Sequence, residues 1–162
     1  MTTLQHEIEQ FLYEQAALCD RRDWDAYLDT FTESSEFWIP QWESEYKYVS
    51  DPKIGMSLVY YANRSGLEDR IYRLRTGKSA ASNPLPRTQH QVSNVRIQEK
   101  TDNTLDVLLG WQTNYTRLGQ TEMLYGEATL TLVKVEDSWK IQRKFVVVFN
   151  DIINSVMDFY HV

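Results

Sequence analysis

The sequence predicts an α+β fold in which N-terminal helices pack into a curved antiparallel sheet. Three features lead there. Apolar residues recur at helical spacing early in the chain, the period changes from 3.6 to 2 beyond residue 88, and the last strand-like run is apolar at every position.

Leu4, Ile8, Phe11, Leu12 and Cys19 fall on one face of a helix, with Glu7, Glu9, Gln10 and Glu14 opposite. Asp23 is placed to cap a shorter helix carrying Trp24, Tyr27, Leu28 and Phe31. Phe37-Trp38-Ile39-Pro40 reads as a strand stopped by proline. The polar stretch from Gln41 to Lys53 reads as a loop, and Met56 to Tyr61 as a short strand.

A helix with both ends marked comes next. Ser65 and Glu68 fit a capping box, Leu67, Ile71 and Leu74 form its apolar stripe, and Gly77 suits its C-terminal cap. Residues 78 to 88, with Pro84 and Pro86, read as an exposed connection.

Four strands follow, at about His90 to Glu99, Leu105 to Arg117, Glu122 to Val135 and Trp139 to Phe149. In the second, Leu105, Val107, Leu109, Trp111 and Tyr115 alternate onto one face. Gly110 and Gly126 are expected to mark bends or bulges, and the uniformly apolar Phe145-Val146-Val147-Val148-Phe149 is expected to be covered on both faces. Helices first and then a meander suit the cone of the nuclear transport factor 2 and ketosteroid isomerase group, and residues 1–162 read as one domain.

The formal charge of -6 argues against non-specific binding to nucleic acid, which depends on Lys and Arg neutralising phosphates. No charged leader and no apolar run long enough to span a membrane is seen, so a soluble cytoplasmic protein is expected. The single cysteine, Cys19, cannot form an internal disulfide. The sequons at Asn63 and Asn114 are read as chance. Aromatic residues make up 13% of the chain, which points to a heavy core, a ligand cavity or a wide protein interface.

Few residues point to chemistry. Gly77-Lys78-Ser79 resembles the end of a phosphate-binding loop, but Tyr72 stands where the first glycine is required. His6, His90 and His161 lie in no ligand-spaced pair, and one cysteine cannot supply a Rieske cluster. His90 at a strand start is read as a structural histidine before a pocket base. Asp23, Asp25 and Asp29 are explained as helix first-turn charges, with Asp29 or Asp51 held in reserve for an enzymatic reading. Catalytic, cofactor and metal residues are therefore expected to be absent. Basic residues gather at Arg64, Arg70, Arg73, Arg75, Lys78 and Arg87. Asp69 can pair with Arg73 at i, i+4, and Arg64, Arg70, Arg73 and Arg75 are the candidate subunit interface.

Three blocks are informative as a set: Phe37-Trp38-Ile39-Pro40-Gln41-Trp42, the run from Met56 to Arg70, and Pro86 to Val95. They resemble the small (β) subunits of aromatic-ring-hydroxylating dioxygenases. The ending from Asn150 to Val162 is similar to the benzoate and anthranilate branch, and Arg73 to Lys78 to its anthranilate members. The resemblance implies a structural subunit in an α3β3 assembly with its own copies in a trimer. A large subunit would hold a Rieske [2Fe-2S] cluster and mononuclear Fe(II), with NADH electrons arriving through a separate reductase. It carries no catalytic or metal residue onto this chain. The alternative is a free-standing isomerase or dehydratase of the same fold, with an acid/base pocket inside the cone; it requires an open, water-accessible interior.

Overall fold

A computed structural model describes residues 2–162, with backbone alone at residues 99 and 100. The elements in chain order are α1 (Leu4–Asp20), α2 (Trp24–Asp29), β1 (Phe31–Pro40), β2 (Trp42–Ser44), β3 (Lys47–Tyr48), β4 (Ser57–Tyr61), α3 (Ser65–Thr76), β5 (Arg87–Lys100), β6 (Thr104–Arg117), β7 (Gln120–Val135) and β8 (Ser138–Val148). Short 3-10 turns at Ala80–Ser82 and Phe159–His161 complete the chain.

Six strands form one curved sheet in the order β4-β1-β8-β7-β6-β5. Neighbours run antiparallel apart from β1 and β8, which pair in parallel, so the expected antiparallel sheet contains one parallel seam. The helices lie in its hollow. Curvature arises from extra residues in single strands: β5 shifts register between Ser93 and Arg96, where Asn94 has φ 53°, and β8 takes up an extra residue opposite Thr131 and Leu132.

Of the two glycines expected to mark bends or bulges, Gly110 pairs with Ser93 at the edge of the β5 bulge, whereas no register shift falls at Gly126. Gly126 lets β7 approach β8 closely: a Cβ there would collide with the Val147 carbonyl and lie 3.2 Å from the Trp111 indole nitrogen. At Gly110 a Cβ would stand 3.0 Å from the Ser93 hydroxyl.

Other elements differ from expectation in instructive ways. Phe31 does not belong to α2 but opens β1, whose ten residues extend well ahead of Phe37. The expected loop from Gln41 to Lys53 contains the β2/β3 hairpin, clasped by edge contact of the Trp42 and Tyr48 rings. Strands of three and two residues are too short to display a period. Asp23 stands at the α2 N-terminus without a side-chain cap bond, and α3 forms no capping box; instead the Asn63 side-chain oxygen accepts the Ser65 amide, and Glu68 takes the Arg64 guanidinium at 2.8 Å. Gly77 does end α3 in the left-handed region, with φ 67°. The connection from 78 to 88 is largely exposed, yet Ser82 and Pro86 are buried.

The hollow is filled by the protein's own rings. Trp24 and Tyr27 lie against Phe159 at 5.4 and 5.6 Å between centroids, Tyr27 touches Phe31, and Phe31 leads to Phe37 and Tyr61. Outside the sheet, Trp38 and Tyr48 cover Phe145, which explains the apolar run of β8: one side faces the core and the other lies beneath the hairpin.

The close approach at Gly126 makes a prediction. Gly126→Ala should lower stability by about 3 kcal/mol, because two hydrogen-bonded backbones must separate. Gly77→Ala, which meets open space and has only its positive φ to strain, should cost about 1 kcal/mol in the same urea titration.

Candidate functional site

Among the described residues the hollow of the sheet retains a small space. It is a cavity of about 40 Å³ between α1, α2 and the concave face of the sheet, lined among others by Gln15, Cys19, Tyr27, His90, Thr113 and Lys144. At roughly 10–15 Å³ per water, it has room for a few water molecules. Four polar atoms buried there lack a protein partner: Gln15 Nε2, the Tyr27 hydroxyl, His90 Nε2 and Thr113 Oγ1. Ordered water is the usual partner for such groups.

His90 is positioned by Asp20, the last residue of α1. The carboxylate accepts the His90 amide at 3.0 Å and the Thr88 hydroxyl at 2.9 Å, and its Oδ1 lies 2.5 Å from His90 Nδ1. Burial pushes the Asp20 carboxyl up, but the hydrogen bonds and charge of His90 outweigh it, so the group lies below the ordinary carboxylate range. Asp20 holds the ring through Nδ1, and Nε2 is left buried beside the cavity without a protein partner.

Lys144 is the cavity's cation. Its ammonium donates to the Val162 carbonyl at 3.3 Å and stands 5.3 Å from the Phe37 ring centroid. Burial pushes it down to about 8 and pushes the Cys19 thiol up to about 12, so the thiol stays protonated and inert. The dyad can hold or move a proton. What it lacks is room: an apolar cavity must reach about 150 Å³ before benzene enters. The enzymatic alternative needed an open interior, and this one is closed by rings.

The sequence reading named His90 and missed the residues around it. Thr113 was legible, since it falls between Trp111 and Tyr115 in the β6 alternation and is fully buried. Lys144 was not, because counting by twos from Trp139 and Ile141 sends it outward. The extra residue in β8 reverses the parity and turns it inward. Asp29 and Asp51 lie outside the cavity: Asp29 pairs with Lys140 at 3.2 Å, and Asp51 accepts the Lys53 amide.

The four arginines expected at a subunit interface divide into two kinds. Arg70 points inward: its guanidinium bonds Asp158 at 2.6 and 2.8 Å, Ser82 at 2.7 Å and Ser79 at 3.2 Å, and Ser82 in turn bonds the Tyr160 hydroxyl. Arg64 is also engaged internally, with Glu68 and the Phe31 carbonyl. Arg75 is exposed and pairs with Asp25, while Arg73 is exposed and has no carboxylate partner among the described residues; the expected Asp69–Arg73 pair does not form. His161 accepts the Asp158 amide on Nδ1 at 2.9 Å and completes a cap on the last turn.

The blocks that carry the sequence resemblance thus meet in space: Arg70 from the central block holds Asp158 from the ending, and His90 from the third block faces the cavity. The ring-hydroxylating β subunit family model matches residues 14–155. The chain belongs to that family. It is 50% identical over 159 residues to the anthranilate 1,2-dioxygenase small subunit of Acinetobacter baylyi, covering 98% of each chain. To the 2-halobenzoate 1,2-dioxygenase small subunit of Burkholderia cepacia it is 38% identical over the full length of both. The benzoate 1,2-dioxygenase β subunit of Burkholderia mallei superimposes with a TM-score of 0.82 at 33% identity, covering both chains completely. The chain is therefore a small subunit, and a large subunit is its partner.

The iron centres that the sequence resemblance implies for a large subunit would find no fitting donor set in this chain. Among the described residues no three His, Cys, Asp or Glu side chains converge. Cys19 is held as a thiol, His161 is spent on a backbone amide and His90 Nδ1 on Asp20.

Two predictions arise from this region. Arg70→Met leaves Asp158 buried beside unfilled hydroxyl partners and should cost about 3–5 kcal/mol of stability in urea. The ordinary pKa of histidine is 6.5, and in the folded chain burial, with the charge of His90, pushes His161 down to about 4. The unfolded chain therefore takes up a proton first: this contribution is intact above pH 6.5 and falls by about 3 kcal/mol between pH 6.5 and 4. Unfolding titrations across that window should show the fall in the wild type and lose that part of it in His161→Gln.

Proposed function

We propose that this chain is the non-catalytic small subunit of an aromatic-acid dioxygenase of the anthranilate or benzoate type, and that it supports assembly of the large subunits. The closed interior carries this reading: a cone packed with its own rings around about 40 Å³ offers an aromatic acid no place to bind. The identity to the Acinetobacter small subunit over nearly the whole chain supports the anthranilate assignment.

In this reading residues 1–162 act as one domain within an α3β3 complex in the cytoplasm. The large subunit holds the Rieske [2Fe-2S] cluster and mononuclear Fe(II), and a separate reductase passes electrons from NADH. The substrate-contacting residues then lie in the large subunit. This chain contributes rigidity, which its filled core supplies, and surface. Of the four interface arginines, the outward pair Arg73 and Arg75 is the part proposed to meet another subunit.

Purified alone, the chain should bind no iron stoichiometrically and should not hydroxylate anthranilate or benzoate. Co-expressed with a large subunit, it should yield an active complex whose native mass corresponds to three of each chain. One iron per purified small subunit would overturn the reading.

A further inference from the structure

The surface between the β2/β3 hairpin and the segment leaving β8 holds an open cleft of about 600 Å³. Four rings line it: Trp42, Tyr46, Tyr125 and Phe149. They are fixed rather than loose, since the Trp42 indole donates to the Val148 carbonyl at 2.7 Å and Phe149 touches both Trp42 and Tyr125. Tyr46, at the hairpin tip, is the exception and is 92% exposed. Ile152, next to the cleft residue Asp151, is 76% exposed. Apolar rings held open to water cost free energy unless something covers them.

The cleft is acidic as well as aromatic. Glu43 is paired with Lys47 at 3.6 Å, whereas Glu45 and Asp151 are exposed and have no basic partner among the described residues. Aromatic faces with free carboxylates suit a cation carried on a partly apolar stem, arginine above all.

The same chain presents the complement. At the C-terminal end of α3, Tyr72 is 70% exposed, and Arg73 and Lys78 are exposed without a carboxylate partner among the described residues. In a chain of net charge -6 this is an unusual concentration of free positive charge. We propose that the cleft receives the Tyr72 to Lys78 end of α3 from a second copy of this chain, with Arg73 and Lys78 facing Glu45 and Asp151. The two patches are different surfaces, so the contact is heterologous and repeats around a ring until it closes. The inference rests on the self-association proposed above and names the surfaces that make it.

The native mass of the purified chain and of four variants tests it, with circular dichroism as the check of folding. The wild type should be trimeric. Arg73→Glu with Lys78→Glu should weaken association at least tenfold while leaving the chain folded, and so should Glu45→Lys with Asp151→Lys. Combining all four reversals restores opposite charges and should restore the trimer. Tyr46→Ser, which changes no charge, should weaken it too. A monomeric wild type would overturn the self-association reading itself. A trimeric wild type whose reversed variants remain trimeric would overturn this inference alone. The inference is also overturned if reversal spares the trimer but lowers incorporation into the complex with the large subunit, because the cleft then belongs to that chain.

Discussion

The ion pair between Arg70 and Asp158 fastens α3 to the last turn of the chain. Arg70 rises from α3, which is anchored to the sheet edge by Leu67, Ile71 and Leu74, and Asp158 begins the final turn that inserts Phe159 into the cone. The guanidinium also bonds Ser79 and Ser82, so a connection with few apolar residues of its own is held against the core. A buried pair of this kind is a poor source of net stability, because desolvation offsets most of the attraction. Its value is positional: with each guanidinium nitrogen directed at a specific acceptor, the docking of the last residues is fixed.

Docking of that last turn decides what the interior becomes. Phe159 packs against Trp24 and Tyr27, and the Val162 carbonyl accepts a hydrogen bond from the Lys144 ammonium. A cone of this fold without such a plug would be an open cup, the form in which a sheet wrapped around helices suits a small-molecule site. Here the cup is closed from within. The Asp20–His90 pair keeps the geometry of a proton-handling dyad, yet it faces a space suited to water. In the role proposed above, the interior supplies rigidity and contact with other molecules falls to the surface.

That surface is uneven in a way that core packing does not explain. The hairpin places Trp42 and Tyr48 over the outer face of the sheet, where Tyr48 covers Phe145, and Tyr46 stands free at its tip. Hairpin rings, unpaired carboxylates and the unpaired cations Arg73 and Lys78 are the surfaces that the proposed contact between copies would cover.

Most of the architecture was legible in the sequence, because long elements repeat their period many times. Three helices and four long strands follow from where apolar residues fall, and a β subunit was identifiable from the blocks around Met56 to Arg70 and Pro86 to Val95. The interior was not legible, for a definite reason. Side-chain direction in a strand alternates residue by residue, so one extra residue in β8 reverses every position beyond it, and no periodic count reveals where that residue lies. Lys144 turned inward for this cause alone. Arg70 looked like a surface charge until Asp158, eighty-eight residues away in sequence, was brought beside it. Sequence by itself determined the long elements and the family, both of which depend on local pattern or residue identity. Only the tertiary structure decided which charges are buried, that the cone is closed, and which rings are left for a neighbour, because each of these depends on contacts between distant segments.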